Sequence, residues 1–269
     1  MKKQEKFELF LGKHKGKSGK RREQLAVWFG LFFVFLVSFF SHVLVQHARD
    51  RAFAGQAENA TGAIYLNGHA ICSGASFAPG YFLTARHCVV DEQYDLRGDE
   101  YISFSANEKG PFYQTQIVAL SLTDDIAILR IVNGSNVPWV GLGDESRTPA
   151  GHPILNFTYA LDQGKMRIEG RFIEPIYAHL PGVIPDSYPE WNYSMPVDMT
   201  IASGSSGSPI FDAFQQEIIG VVVGDFRRGG FGIVIPVSRV WHLLNHLSEN
   251  SVQEFQKKFP HKEVEPYEL

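Results

Sequence analysis

The sequence is poor in the residues that staple or metallate a small protein. It has 269 residues but only two cysteines, Cys72 and Cys88. Their spacing fits no zinc pattern, and two thiols with scattered histidines make no four-ligand set, so we expect no metal and no cofactor. No segment recurs at a fixed short period, which removes solenoids and propellers. Amphipathic helical periodicity is scarce, whereas glycine (25), proline (14) and aromatics (13%) are plentiful, and this balance points to an all-β architecture with many turns. Basic charge is also missing where a nucleic-acid binder would need it. Residues 46–269 hold 16 Lys/Arg against 26 Asp/Glu, a balance that argues against nucleic acid as a partner.

Charge of either sign is absent from residues 25–45, LAVWFGLFFVFLVSFFSHVLV. At about 1.5 Å rise per residue, a helix of that length crosses the roughly 30 Å hydrocarbon layer. Residues 1–24 carry Lys2, Lys3, Lys6, Lys13, Lys15, Lys17, Lys20, Arg21 and Arg22, and almost nothing apolar to bury. They read as a basic tail with no packed fold. The positive-inside rule puts that tail in the cytoplasm and everything beyond residue 45 across the membrane, in the periplasm or outside the cell. A signal peptide cut near Ala52 to Ala57 is the competing reading; its apolar core is normally about 7–15 residues, shorter than this run. Residues 46–62 read as a tether.

From Ala63 short apolar runs alternate with Gly, Pro, Asn and Asp. The expected strands are 63–66, 70–77, 81–84, 101–105, 113–120, 125–132, 153–159, 165–176, 198–201, 209–211, 217–223 and 232–236, a spacing suited to barrels. Residues 177–197, with four prolines and three tyrosines, read as a long loop set between strands. Residues 237–258 hold the best helical pattern beyond the membrane run, with Val240, Leu243, Leu244 and Leu247 on one face, and 248–269 end in a polar tail. Asn59, Asn133, Asn156 and Asn192 each begin an Asn-x-Ser/Thr sequon.

Three stretches carry chemistry. Ile201-Ala202-Ser203-Gly204-Ser205-Ser206-Gly207-Ser208-Pro209 sets Ser206 in a turn of small residues, where the N–H groups of Gly204 and Ser206 can approach a developing oxyanion. Such turns are mostly plain loops. Two earlier stretches change the weighing: Phe82-Leu83-Thr84-Ala85-Arg86-His87-Cys88 and Asp124-Asp125-Ile126-Ala127-Ile128-Leu129. A base, an acid and a hydroxyl follow in the order His, Asp, Ser. Taken singly, a His before a Cys is usually structural and an Asp opening a strand is usually a turn residue. Asp124 competes with Asp125 as the acid, and strand register favours Asp125. Both cysteines lie past the apolar run, where disulfides persist, so a Cys72–Cys88 bridge is favoured over two separate thiols.

On these motifs the chain resembles the trypsin-like (chymotrypsin-fold) serine peptidases. Leu83–Cys88 matches the family's histidine motif, Asp125–Leu129 its aspartate strand, and Gly204–Pro209 its serine loop. Gly220–Gly224 is similar to the substrate-pairing strand, and Gly232–Pro236 to the last strand of the bacterial HtrA-like and glutamyl-endopeptidase-like branches, here without a PDZ module. The resemblance covers residues 63–247. It implies two antiparallel six-stranded β-barrels, about 63–135 and 138–236, closed by a C-terminal helix and preceded by the membrane helix. It also implies catalytic His87, Asp125 and Ser206, an oxyanion hole from the N–H groups of Gly204 and Ser206, the Cys72–Cys88 pairing, and a pocket involving Thr200, Val223 and Gly224. Its substrates are proteins or peptides, and the activity implied is that of a membrane-anchored serine endopeptidase. The alternative is an inactive scaffold of the same fold at the membrane surface.

Two departures stand out. Secreted relatives have an Asp before the nucleophile, which pairs with a new N-terminal ammonium after processing; this chain has Ser205 there. The resemblance therefore implies a turn set without N-terminal processing. The specificity-pocket base falls on Thr200, with Asp198 nearby but out of register.

Overall fold

The computed structural model describes residues 2–90, 102–107, 109–132, 136–160, 163–173, 193–225 and 230–246, with side chains from Val27 onward. It divides into two compact units, Met1–Arg51 and Ala52–Leu269. Helix α1 runs from Lys2 to Ala60 and includes a stretch from Val27 that is long and apolar enough to cross a membrane. Residues 2–24 of the expected basic tail and 46–60 of the expected tether thus have helical backbone, and Thr61 and Gly62 already belong to the first strand. A helix satisfies its hydrogen bonds locally and needs no core of its own. In the second unit the end of α1 also has a buried face. Phe53, Ala57 and Ala60, spaced i, i+4 and i+7, are all buried, and the Phe53 ring meets Phe211 edge-on at 5.9 Å.

Twelve strands follow among the described residues: β1 (Thr61–Leu66), β2 (His69–Ala78), β3 (Tyr81–Thr84), β4 (Ile102–Ser105), β5 (Tyr113–Leu120), β6 (Ala127–Ile131), β7 (Pro153–Ala160), β8 (Gly164–Phe172), β9 (Met195–Asp198), β10 (Pro209–Asp212), β11 (Glu217–Asp225) and β12 (Phe231–Pro236). Helix α2 (Val237–Asn245) closes the described chain and buries Val240 and Leu243. The first six strands close an antiparallel barrel in the order β1-β2-β3-β6-β5-β4, and the second six close another as β10-β11-β12-β9-β8-β7. Traced from their first strands, the two circuits have the same order.

Local chemistry explains the turns. Asn67 and Gly68, both at positive φ, join β1 to β2 with Leu66 opposite His69, the two-residue Asn-Gly hairpin that matches strand twist. In β11 the apolar run is almost continuous because both faces are covered. Ile219 and Val222 face the second barrel's core with Phe172 and Val197, while Ile218, Val221 and Val223 join the larger core that holds Phe53, Phe82 and Phe104.

One strand differs from expectation. The pairing partner of β12 is Met195–Asp198, not 198–201, with Pro196 opposite Ile233. Met195 and Val197 supply the inward side chains, which leaves residues 199–208 to reach the next strand as a loop. The long loop read at 177–197 lies outside the described residues as far as Asn192, and its last residues belong to β9. The tail 248–269 also lies outside them, as do Asn133 and Asn192. Asn156 is fully buried and its Nδ2 donates to Ser208 Oγ and Pro209 O, so that sequon offers no site for a glycan.

Candidate active site

The histidine segment is assembled from the end of β3. After Thr84 and Ala85 the chain makes a single 3-10 turn, Arg86–Cys88. Arg86 is buried and its guanidinium donates to Ser121 O at 2.6 Å, which ties this turn to the loop before β6. Cys88 is disulfide-bonded to Cys72 on β2, with Cα atoms 6.0 Å apart. Between these two anchors His87 projects an imidazole that is 45% exposed.

Asp125 sits just before β6, and its carboxylate is 2% exposed. Oδ1 accepts the backbone N–H of His87 at 2.9 Å, and Oδ2 lies 2.6 Å from His87 Nδ1. One carboxylate thus fixes both the backbone and the ring. Donation from Nδ1–H to a buried carboxylate leaves the neutral ring's lone pair on Nε2. The neighbouring Asp124 turns elsewhere: Arg239 of α2 grips it with Nε at 2.9 Å and Nη2 at 3.0 Å, and Ser121 and Thr123 hydroxyls donate to it as well. The two aspartates that sequence left in competition are thereby separated.

Ser206 is carried by a turn stitched to both barrels. Ser205 N–H donates to Ala202 O at 3.0 Å, closing a four-residue turn whose third residue is Gly204 at φ +91. That sign at the third position is the signature of a type II turn, for which glycine is suited. Ser73 N–H, from β2, donates to Ser206 O at 2.8 Å, and Cys88 Sγ lies 3.8 Å from the same oxygen. Behind the serine, Gly207 N–H donates to Val222 O at 2.7 Å. Gly207 has φ +83, and a Cβ there would come within 2.2 Å of Ser73 O and Thr84 Oγ1. No side chain fits that position. Among the described residues the N–H groups of Gly204 and Ser206 have no hydrogen-bond acceptor, although Gly204 is buried and Ser206 half-buried. Unpartnered N–H donors are the kind of group that can hold a negatively charged oxygen.

The residues expected to line a pocket lie on two segments, the loop after β9 and the end of β11. Thr200 is exposed on the loop after β9, and it is no longer part of a strand. Val223 is buried and Gly224 half-buried at a bulge in β11, where the register against β12 slips. Cys72, His87 and Cys88 gather their ligand atoms within 4.8 Å, but both sulfurs are consumed in the disulfide, so they offer no thiolates to a metal.

The trypsin-like peptidase domain matches residues 72–221, more than half of the chain. The chain belongs to the trypsin-like peptidase domain family. The family's span runs from the first disulfide cysteine, through the His87, Asp125 and Ser206 segments, into β11. No similar sequence is found among curated proteins. The fold is shared with the Rv3671c protease of M. tuberculosis, crystallised as an inactive serine-to-alanine variant (18% identity, TM-score 0.57, covering 72% of this chain and 89% of that one). It is shared also with the HtrA-type protease AlgW bound to a tripeptide (20% identity, TM-score 0.59, 73% and 62%) and with a serine endoprotease from Yersinia pestis (21% identity, TM-score 0.56, 74% and 66%). The chain thus spans about two thirds of the length of those last two proteins.

Several participants were not visible in the sequence. Ser73, Arg239 and Phe53 have no local motif around them. Ser73 lies beside Cys72, but nothing in that neighbourhood marks it as touching residues 204–206.

Proposed function

We propose that this chain is a membrane-anchored serine endopeptidase. His87 Nε2 takes the proton of Ser206 Oγ as that oxygen attacks a peptide carbonyl, forming one C–O bond and opening the carbonyl to an oxyanion. The N–H groups of Gly204 and Ser206 hold the oxyanion. The imidazolium, stabilised by Asp125, returns its proton to the leaving amine as the C–N bond breaks. Water then repeats the sequence on the acyl-enzyme and releases the acid. The observation that carries this reading is the pairing of one buried carboxylate, bonded twice to His87, with two unpartnered N–H groups at a serine turn. Substrates are proteins or peptides; P1 preference involves Thr200, Val223 and Gly224.

The membrane part of the proposal, with the N-terminus in the cytoplasm and the peptidase domain on the far side, is supported by the apolar stretch of α1 and by the basic residues before it. Burial of Phe53, Ala57 and Ala60 supports an uncleaved helix. A cut after Phe53 would remove a ring that is buried in the second unit's core.

The test is labelling of the full chain in detergent with a fluorophosphonate. Labelling at Ser206 that disappears in Ser206→Ala and His87→Ala supports the peptidase. A folded, disulfide-bonded protein that stays unlabelled is an inactive scaffold, and the proposal falls.

A further inference from the structure

Ser205 occupies the position where secreted relatives of the family carry an aspartate that anchors the turn to an N-terminal ammonium. It is fully buried, but its contacts are local: its N–H donates to Ala202 O, and its Oγ accepts Ala202 N–H at 3.3 Å. Those bonds close the turn on itself and do not fix it to the rest of the protein. Something else must hold it, because glycine is nearly indifferent to the sign of φ and Gly204 at φ +91 would otherwise be free to invert.

Val222 of β11 holds the turn behind Ser206, and the contact that holds Gly204 comes from the other barrel. Ser73 is fully buried on β2, and its single hydroxyl proton is donated to Gly204 O at 2.8 Å. Ser73 Oγ itself accepts Tyr159 N–H at 2.9 Å, and because its proton is already committed, Thr158 Oγ1 at 3.2 Å is the donor in that contact. Ser73 N–H donates to Ser206 O, and Ser73 O accepts from Thr84 Oγ1 at 2.8 Å. Every polar group of this one residue is therefore satisfied, and two of the bonds bracket Ser205. Ser73 adjoins Cys72, which is bonded to Cys88, which follows His87.

We propose that Ser73 is a positioning residue. Its hydroxyl locks Gly204 and the nucleophile turn at a fixed offset from His87, and so does for this chain what the ammonium–aspartate pair does for processed relatives. This deepens the proposed function and rests on it. A single hydrogen bond to a buried carbonyl is of the size that moves a two-state turn by about tenfold or more. Loss of an oxyanion donor outright has a larger effect, about 10²- to 10³-fold. Ser73→Ala should therefore fall between these limits.

The experiment compares fluorophosphonate labelling and hydrogen exchange in the full-length wild type, Ser73→Ala and Thr158→Ala. Both variants delete one buried hydroxyl of the same pair, but only the first removes the bond to Gly204. Ser73→Ala is expected to label roughly 10- to 100-fold more slowly, with the loss in the maximal rate and not in the half-saturating concentration, and to exchange the amides of 203–207 faster. Thr158→Ala is expected to label within about threefold of wild type. Equal slowing in both variants, or unchanged labelling and exchange in Ser73→Ala, overturns the proposal. If Ser73→Ala does not fold, Ser73→Thr and Ser73→Val, matched in volume, carry the same comparison: the hydroxyl-bearing variant must label at least about tenfold faster. If the wild type itself does not label, the peptidase reading fails. Exchange then decides Ser73 alone: faster exchange at 203–207 keeps it as the lock on the turn, and unchanged exchange refutes it.

Discussion

The two barrels repeat one circuit of six strands but hold their share of the site in different ways. In the first barrel, His87 and Asp125 are bound directly to each other, and the histidine turn is braced by a disulfide on one side and buried Arg86 on the other. In the second, Ser206 belongs to no strand. Its turn is closed by local hydrogen bonds and is held in place by Ser73 of the first barrel and Val222 of β11. The first barrel's part is complete within that barrel, whereas the second barrel's part depends on its neighbour. In the other direction, α2 reaches back from the end of the second barrel to grip Asp124.

The largest effect should come from the first barrel's internal bond. Asp125→Asn keeps the shape but removes the charge that fixes the tautomer of His87, and the labelling rate of Ser206 is expected to drop by roughly 10⁴-fold. A drop of less than about tenfold would mean that His87 does not depend on Asp125. The next tests the grip of α2. Arg239→Ala leaves Asp124, 1% exposed, without its bidentate partner, and uncompensated burial of that kind typically costs about 3–5 kcal/mol in unfolding free energy. Chemical denaturation measures it. A loss below about 1 kcal/mol would show that Ser121 and Thr123 suffice to satisfy Asp124 and that the two barrels are less coupled than described.

Phe53→Ala asks whether the end of α1 is part of the folded unit. Removal of a buried aromatic should cost about 3 kcal/mol. An unchanged melting temperature would return residues 52–60 to the role of tether. The smallest effect is electrostatic. Lys165 donates to Glu58 O and to Ala106 O, and burial lowers its pKa from 10.5 to about 8, with Glu58 opposing the shift. A depressed lysine binds fewer protons folded than unfolded between pH 8 and 10.5, so its contribution to stability becomes more favourable as pH rises through that window. Relative to Lys165→Met, the wild type should gain stability between pH 8 and 10. The gain is about 1 kcal/mol or less, because the ammonium is partly solvent-screened. A loss over the same interval would refute the assigned direction.

Much of this was legible in the chain itself. Asn67-Gly68, the alternating strands and the three motifs in order pointed to the barrels and to His87, Asp125 and Ser206. The pairing of Met195–Asp198 with β12 was not legible, because Met-Pro-Val-Asp is no more strand-like than the Asp-Met-Thr-Ile that follows, and only the facing strand decides between them. Nor does the sequence repeat that would betray two barrels of one circuit exist, since closure constrains which faces are apolar and not which apolar residue is used. Thr200 lies exposed on the loop after β9, outside the strand expected at 198–201, because β12 pairs with the residues before it.

The sequence by itself determined the uncharged helical run, the all-β remainder and the residue types of the site, because hydrophobic periodicity, turn chemistry and short motifs are local properties of the chain. Tertiary structure alone decided that Asp124 meets Arg239, that Phe53 belongs to the core, and that Ser73 holds Gly204. Ser73 and Gly204 are 131 residues apart along the chain, and Asp124 and Arg239 are 115 apart. No local pattern encodes such a pair, and only the closure and apposition of two barrels bring its members within hydrogen-bond reach.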